Sequence, residues 1–313
     1  MSRRDQGPWS VTRAPDLRRH WCTQHDQLID RFATALAPQR ETLQPSTFRR
    51  RRLQDQLAAS LEIMRAESDA LARANLYWAA RGMVDLTLQA APSLPAWTPT
   101  LAVPCPNGLL YWAKPAGTIP FGPRATATAN VAWDALWWWT RPDGMLQITP
   151  ASRLLGHREL LQPFGINPPL WPAHMIVIDP QRPRSEEANG TEDMHPFVSA
   201  AGAAWLLMGQ PAHTSARTFD GQTTAQPPHT SPRKKPRTAS VTIIDIHPPA
   251  PREHGDNQAG HPVYRRRWWV EGHWRQQVCG PQMTQRRPTW IAPHIKGPPN
   301  APLTTDRVHV WRR

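Results

Sequence analysis

The sequence predicts an α+β fold with an N-terminal helical hairpin, a central antiparallel or mixed sheet with a buried helix, and a basic C-terminal β segment. Three observations predict it. Apolar residues recur at helical spacing before residue 74, short Val-, Ile-, Leu- and Trp-rich runs separated by prolines fill the middle, and Phe197 to Met208 is apolar on nearly every side.

Residues 1–14 read as a polar arm. From Asp16 to Ala37, the residues Leu17, Trp21, Leu28, Ile29, Phe32 and Leu36 follow a helical pattern, and Pro38 is expected to stop it. A second helix is expected to start at Ser46 or Thr47, either of which can cap it. Its stripe of Leu53, Leu57, Leu61, Met64 and Leu71 suits an antiparallel hairpin packed on its own chain, or a homodimer or partner seam through residues 46–74. Beyond Asn75, strands are expected at Leu76–Trp78, Leu109–Ala113, within Ala125–Thr140, at Met145–Ile148 and at Met175–Ile178, with a short helix from Met83 to Ala91. Pro142-Asp143-Gly144 reads as a hairpin turn. Phe197 to Met208 reads as a helix buried against the sheet.

Residues 210–239 are crowded with Pro, Thr, Ser, Gln and His and close on Pro232-Arg233-Lys234-Lys235-Pro236-Arg237. A segment so poor in apolar surface cannot offset its ordering entropy, so it reads as a disordered linker. The expected organisation is therefore 1–74, 75–209, the linker 210–239, and a basic Trp- and Arg-rich segment 240–313, which either completes the central sheet or stands alone.

Composition narrows the function classes. The 36 prolines are roughly twice the average share, which favours short elements and many loops. A formal charge of +13 comes mainly from arginine, since Lys114, Lys234, Lys235 and Lys296 are the only lysines. Guanidinium groups suit phosphate, because they pair with it in a bidentate way and stack on rings. GC-rich codon usage would produce the same bias. Cys22, Cys105 and Cys279 are odd in number and widely spaced, which argues against a disulfide framework or a structural zinc site. The charged start of the chain has no apolar run behind it, and the longest apolar stretch is too short for a membrane span, so a soluble cytoplasmic protein is expected. Signatures for phosphate loops, dinucleotide folds, serine hydrolases and His-Glu-x-x-His metalloproteases are absent from the sequence, and no cofactor or metal is expected.

The densest signal lies in the last fifty residues. Arg265-Arg266-Arg267-Trp268-Trp269-Val270 leads into Gly272-His273-Trp274-Arg275-Gln276-Gln277. Arg286-Arg287-Pro288-Thr289-Trp290-Ile291 follows, then Ile295-Lys296-Gly297 and Val308-His309-Val310-Trp311-Arg312-Arg313. Three β-like runs mixing cations with aromatic and β-branched residues are expected to form a small sheet suited to a polyanion. This block resembles the C-terminal part of a family of actinobacterial, actinophage and plasmid proteins with no known activity. The resemblance implies a bacterial cytoplasmic or mobile-element setting. A weaker likeness runs through Leu76-Tyr77-Trp78, Pro106-Asn107-Gly108-Leu109-Leu110 and Ala204-Trp205-Leu206-Leu207-Met208. The chain departs from the family between 210 and 239, where relatives carry a charged helical connector.

The expected nucleic-acid-binding residues, for RNA or DNA, are Arg265, Arg266, Arg267, Trp268, Trp269, Arg275, Arg286, Arg287 and Lys296, where stacking, cation-π contact and phosphate pairing can act together. His273 and Arg275 are the catalytic candidates for a metal-independent ribonuclease or toxin, since histidine exchanges protons near neutrality and the cations would hold phosphate. A histidine bonded to a neighbouring backbone group at a strand end is the plainer account. Trp133, Trp137, Trp138 and Trp139 could stack bases, but their nearest charges, Asp134 and Arg141, cancel, so core packing is the better expectation. The Arg49–Arg52 run opposes the dipole of the second helix and invites an anionic partner, or is simply a solvated face. His174, His195 and His247 beside Asp179, Asp193 and Asp245 are candidates to meet in space.

Overall fold

The computed structural model describes residues 9–42, 48–121, 129–164, 168–184, 196–210, 214–220, 240–246, 265–298 and 301–303. Helices α1 (Ala14–Thr42) and α2 (Phe48–Ala72) form the N-terminal hairpin. Then come β1 (Asn75–Ala79), α3 (Arg81–Ala90), the single turn α4 (Pro99–Ala102), β2 (Asn107–Trp112), β3 (Thr118–Phe121), β4 (Ala129–Ala132), β5 (Ala135–Thr140) and β6 (Leu146–Ser152). The short strands β7 (Trp171–Pro172) and β8 (Ile176–Ile178) precede α5 (Pro196–Met208), and β9 (Thr214–Asp220), β10 (Ser240–Ile246), β11 (Trp268–Val270), β12 (His273–Cys279), β13 (Gln285–Ile291) and β14 (His294–Lys296) complete the chain.

The sheet is mixed, in the order β7-β6-β5-β2-β1-β10-β9, with β8 also on β6. β1 runs parallel to both β2 and β10, and the other pairs in this sheet are antiparallel. The protein is thus α+β, with the expected helical hairpin and a mixed sheet. Both sheet faces are covered, and strand alternation sends side chains to each in turn. Leu109, Tyr111, Trp137 and Trp139 face the α1–α2 hairpin together with Leu17, Trp21 and Leu71. Leu110, Trp112, Leu136 and Trp138 face the opposite layer with Met83, Val84, Trp205 and Leu206. The tryptophans of β5 are core on both sides, 0–2% exposed. They are not a stacking platform. Gly108 is required beneath them, since a Cβ there would fall 2.2 Å from the Trp138 ring.

α5 is the apolar helix expected, buried almost throughout, and the turn after β5 holds Gly144 at φ +81 with Arg141 N donating to Met145 O at 2.8 Å. On α2, Leu61 and Leu71 are buried and Leu53 is 48% exposed at the far end, so the stripe is spent mainly on this chain's own hairpin and sheet.

Several expectations need correction. α1 runs past Pro38 to Thr42. A proline inside a helix removes one N–H and disturbs one carbonyl, at a cost of about 3 kcal/mol, and a helix anchored by Leu17, Trp21, Ile29 and Leu36 offsets that. The arm is pinned from Trp9 on, whose indole Nε1 donates to Trp112 O at 2.7 Å and whose ring carries Arg153 at 4.4 Å. The proposed linker contains β9, paired along its whole length with β10. An edge strand needs no apolar face of its own when a neighbour supplies the backbone partners, so its Thr-Ser-Ala-Arg-Thr-Phe sequence disguised it. The remainder, 211–213 and 221–239, lies outside the described residues, as do the expected cap at Ser46 or Thr47, His195, His247, Asp193 and the last run, Arg307–Arg313.

Candidate nucleic-acid interface

Among the described residues the basic C-terminal runs form two short ladders. β12 pairs with β13, β11 pairs with β14, and both ladders are antiparallel. Their register is nonetheless continuous, because two residues separate Val270 from His273 and two separate Ile291 from His294. The four strands are one long hairpin, interrupted at Glu271-Gly272 and Ala292-Pro293, with its turn at Gly280–Thr284. Proline lacks the ladder donor, which accounts for the break on one side. On the other, a Cβ at Gly272 would fall 2.4 Å from the Trp290 ring, so only glycine lets the chain cross there.

Each half of the hairpin uses its inward side differently. In β12–β13, Trp274 and Trp290 face each other across the ladder, with ring centroids 5.3 Å apart and edge to face. Trp290 is 1% exposed and belongs to the main core. Its backbone N donates to Gln210 Oε1 at 3.0 Å, Trp274 Nε1 donates to Ala90 O at 2.8 Å, and Gln276 Nε2 donates to Ala96 O at 3.1 Å. The Gly-His-Trp-Arg motif is therefore in good part a clasp that fixes the hairpin to α3 and α5. In β11–β14, Trp268 is half-buried beneath Lys296, whose Nζ lies 5.9 Å from the ring. Gly297, at φ +118, allows this end to close, since a Cβ would meet Arg266 O at 2.5 Å.

The outward side carries the rest. Trp269 pairs with Ile295, His273 with Ile291, Arg275 with Thr289, and Gln277 with Arg287, and opposed residues share a face. Trp269, Ile295, His273, Arg275 and Gln277 are all exposed. Arg265, Arg266, Arg286 and Lys296 are exposed as well, Arg286 and Lys296 from the side of the ladder that carries Trp268 and Trp274. Two candidate cations are tied to the body instead. Arg267 Nε donates to Ala301 O at 2.7 Å and its backbone N to Pro302 O at 2.8 Å. The guanidinium of Arg287 lies against Gly209 at the end of α5, where helix carbonyls favour a cation.

His273 stands at the first position of β12 with Nδ1 3.0 Å from Glu271 O, and His294 repeats the arrangement with Ala292 O at 3.1 Å. Each histidine thus bonds the carbonyl two residues before it at a strand start. Of the arginine run at the start of α2, Arg52 is exposed, and the side chains of 49–51 lie outside the described residues. Among the described residues, no group of three or more His, Cys, Asp or Glu side chains could hold a metal ion.

A polar cluster that sequence reading missed lies under the helical hairpin. Glu67 Oε1 accepts from Gln147 Nε2 at 2.8 Å and from Trp137 Nε1 at 3.2 Å, and His25 Nε2 sits 3.7 Å from Glu67 Oε2. These groups come from α1, α2, β5 and β6, so no local pattern could have joined them. Elsewhere in the interior, burial pushes the Tyr111 hydroxyl up from its ordinary pKa while it donates to Ala14 O at 3.0 Å, and burial also raises the Cys22 thiol. Asp134, 1% exposed, is satisfied by Arg153 at 2.8 Å.

No family model, curated protein or solved structure matches the chain. Among the described residues no helix is long and apolar enough to cross a membrane.

Proposed function

We propose that this chain is a cytoplasmic nucleic-acid-binding accessory protein of a bacterial mobile element, with the C-terminal hairpin as its contact surface. One observation carries the reading. Between residues 265 and 298 the chain has seven cations (Arg265, Arg266, Arg267, Arg275, Arg286, Arg287 and Lys296) against one acid, Glu271. Five of those cations, Arg265, Arg266, Arg275, Arg286 and Lys296, are exposed, on a hairpin clasped to the body by two tryptophans. A fixed, cationic, aromatic-bearing surface suits the phosphate backbone of RNA or DNA, and binding of that kind weakens as salt rises through counterion release.

Salt titration tests it. Wild-type affinity for labelled RNA and DNA should fall steeply with ionic strength, and joint replacement of Arg265, Arg266 and Lys296 by Ala should lower affinity and flatten the log–log slope by about two to three. Arg267 is left intact because it holds Ala301 and Pro302. A slope unchanged in the triple variant removes the hairpin from the reading. The ribonuclease reading has one observation in its favour: the Nδ1 contact leaves Nε2 of the exposed His273 without a partner among the described residues, on the face it shares with Arg275. Its mark would be RNA cleavage in the presence of chelator, lost in His273→Ala. We expect none from the wild type.

A further inference from the structure

We infer that the outward face of the hairpin stacks on unpaired bases, so that its ligand is single-stranded rather than duplex nucleic acid. The inference rests on the reading above and names the ligand class of the same surface.

Three exposed apolar residues carry it: Trp269 at 50%, Ile295 at 46% and Leu303 at 43%. Trp269 lies directly across from Ile295, and Leu303 bridges to Arg267, two residues before Trp269 on the same side of the strand. The ladder's other side shows the opposite behaviour, with Trp268, Val270 and His294 all half-buried. An indole so exposed, when its neighbour Trp268 and both tryptophans of the adjoining ladder are covered, is not placed there by packing.

The surroundings favour a base over a protein partner. From Trp269 the same outward face continues through His273 to Arg275, and the six steps between them span about 20 Å of strand. Arg265 and Arg266 stand exposed where the chain enters β11. Trp269 and His273 thus lie between the entering arginines and Arg275 along one track, with Glu271 as its one acid. A single strand offers a ring face with every phosphate, whereas a duplex stacks its ring faces on one another and presents mainly backbone and groove edges.

The test uses the full chain, a labelled 20-nucleotide thymidine homopolymer, and a duplex of the same length at the same salt. Wild type should bind the homopolymer more tightly than the duplex. Trp269→Ala should weaken the homopolymer roughly 5- to 150-fold, the equivalent of one stacked base, and change duplex affinity less than about two-fold. Trp269→Phe, which keeps a ring, should retain most of the single-strand affinity. Equal losses on both ligands, or a wild type that binds duplex as tightly as single strand, would overturn the inference and leave the polyanion reading standing. Binding of neither probe at low salt would end the polyanion reading itself. A solution dimer that Trp269→Ala dissolves, with nucleic-acid affinity unchanged, would assign the face to a second copy of the chain and also overturn the inference.

Discussion

The two ladders of the C-terminal hairpin are built from the same materials and behave in opposite ways. β12–β13 turns a tryptophan pair into the core, whereas β11–β14 leaves Trp269 in the open. Composition does not separate them, since both mix Trp with Arg or Lys and a β-branched residue. What separates them is the company of each aromatic. Trp274 and Trp290 have Ala90, Gln210 and the space over Gly272 waiting for them, while Trp269 faces the exposed Ile295 across the ladder. Burial of an aromatic is decided by the surface opposite, and a charged, Trp-rich run can hold both a buried clasp and an exposed indole within a dozen residues.

The largest test of that contrast is Trp290→Ala. Removing a fully buried indole should cost about 3 to 5 kcal/mol, read as a shift in the urea midpoint, and should expose the hairpin to protease. Loss below about 1 kcal/mol would show that the clasp does not hold it. Trp274→Phe should cost less, about 1 to 2 kcal/mol, because the ring survives and only the hydrogen bond to Ala90 O disappears. A neutral result would mean that Ala90 O finds water at once. Trp269→Ala should be the smallest, within about 0.5 kcal/mol of wild type in thermal unfolding. A loss comparable to that of Trp290 would place Trp269 in the fold and cancel the contrast.

Much of the architecture could be read from local sequence. Pro142-Asp143-Gly144 marks its turn, Phe197–Met208 is too apolar to be anything but buried, and the alternation of Trp137, Trp138 and Trp139 puts one ring on the far side of the sheet from the other two. Features that depend on a distant partner were not legible. β9 is a strand because β10 lies beside it, and Pro150 is tolerated within β6 by a setting its neighbours in sequence do not announce. Every cation of the candidate surface is visible in the sequence, but nothing local distinguishes Arg267, which ties down Ala301, from the exposed Arg266. The interruption at Gly272 was equally hidden, since its cause is the ring of Trp290, eighteen residues on.

The place of β10 has a consequence for how the molecule is made. Leu76 pairs with Val241, so a strand near the beginning of the chain must wait for one synthesised much later, and the sheet cannot close until then. At a typical synthesis pace of about 5 to 20 residues per second, the emerging chain spends roughly 10 to 30 seconds with the flank of β1 unfilled, a template for any strand that passes. The formal charge of +13 would help during that interval, because like-charged nascent chains repel one another.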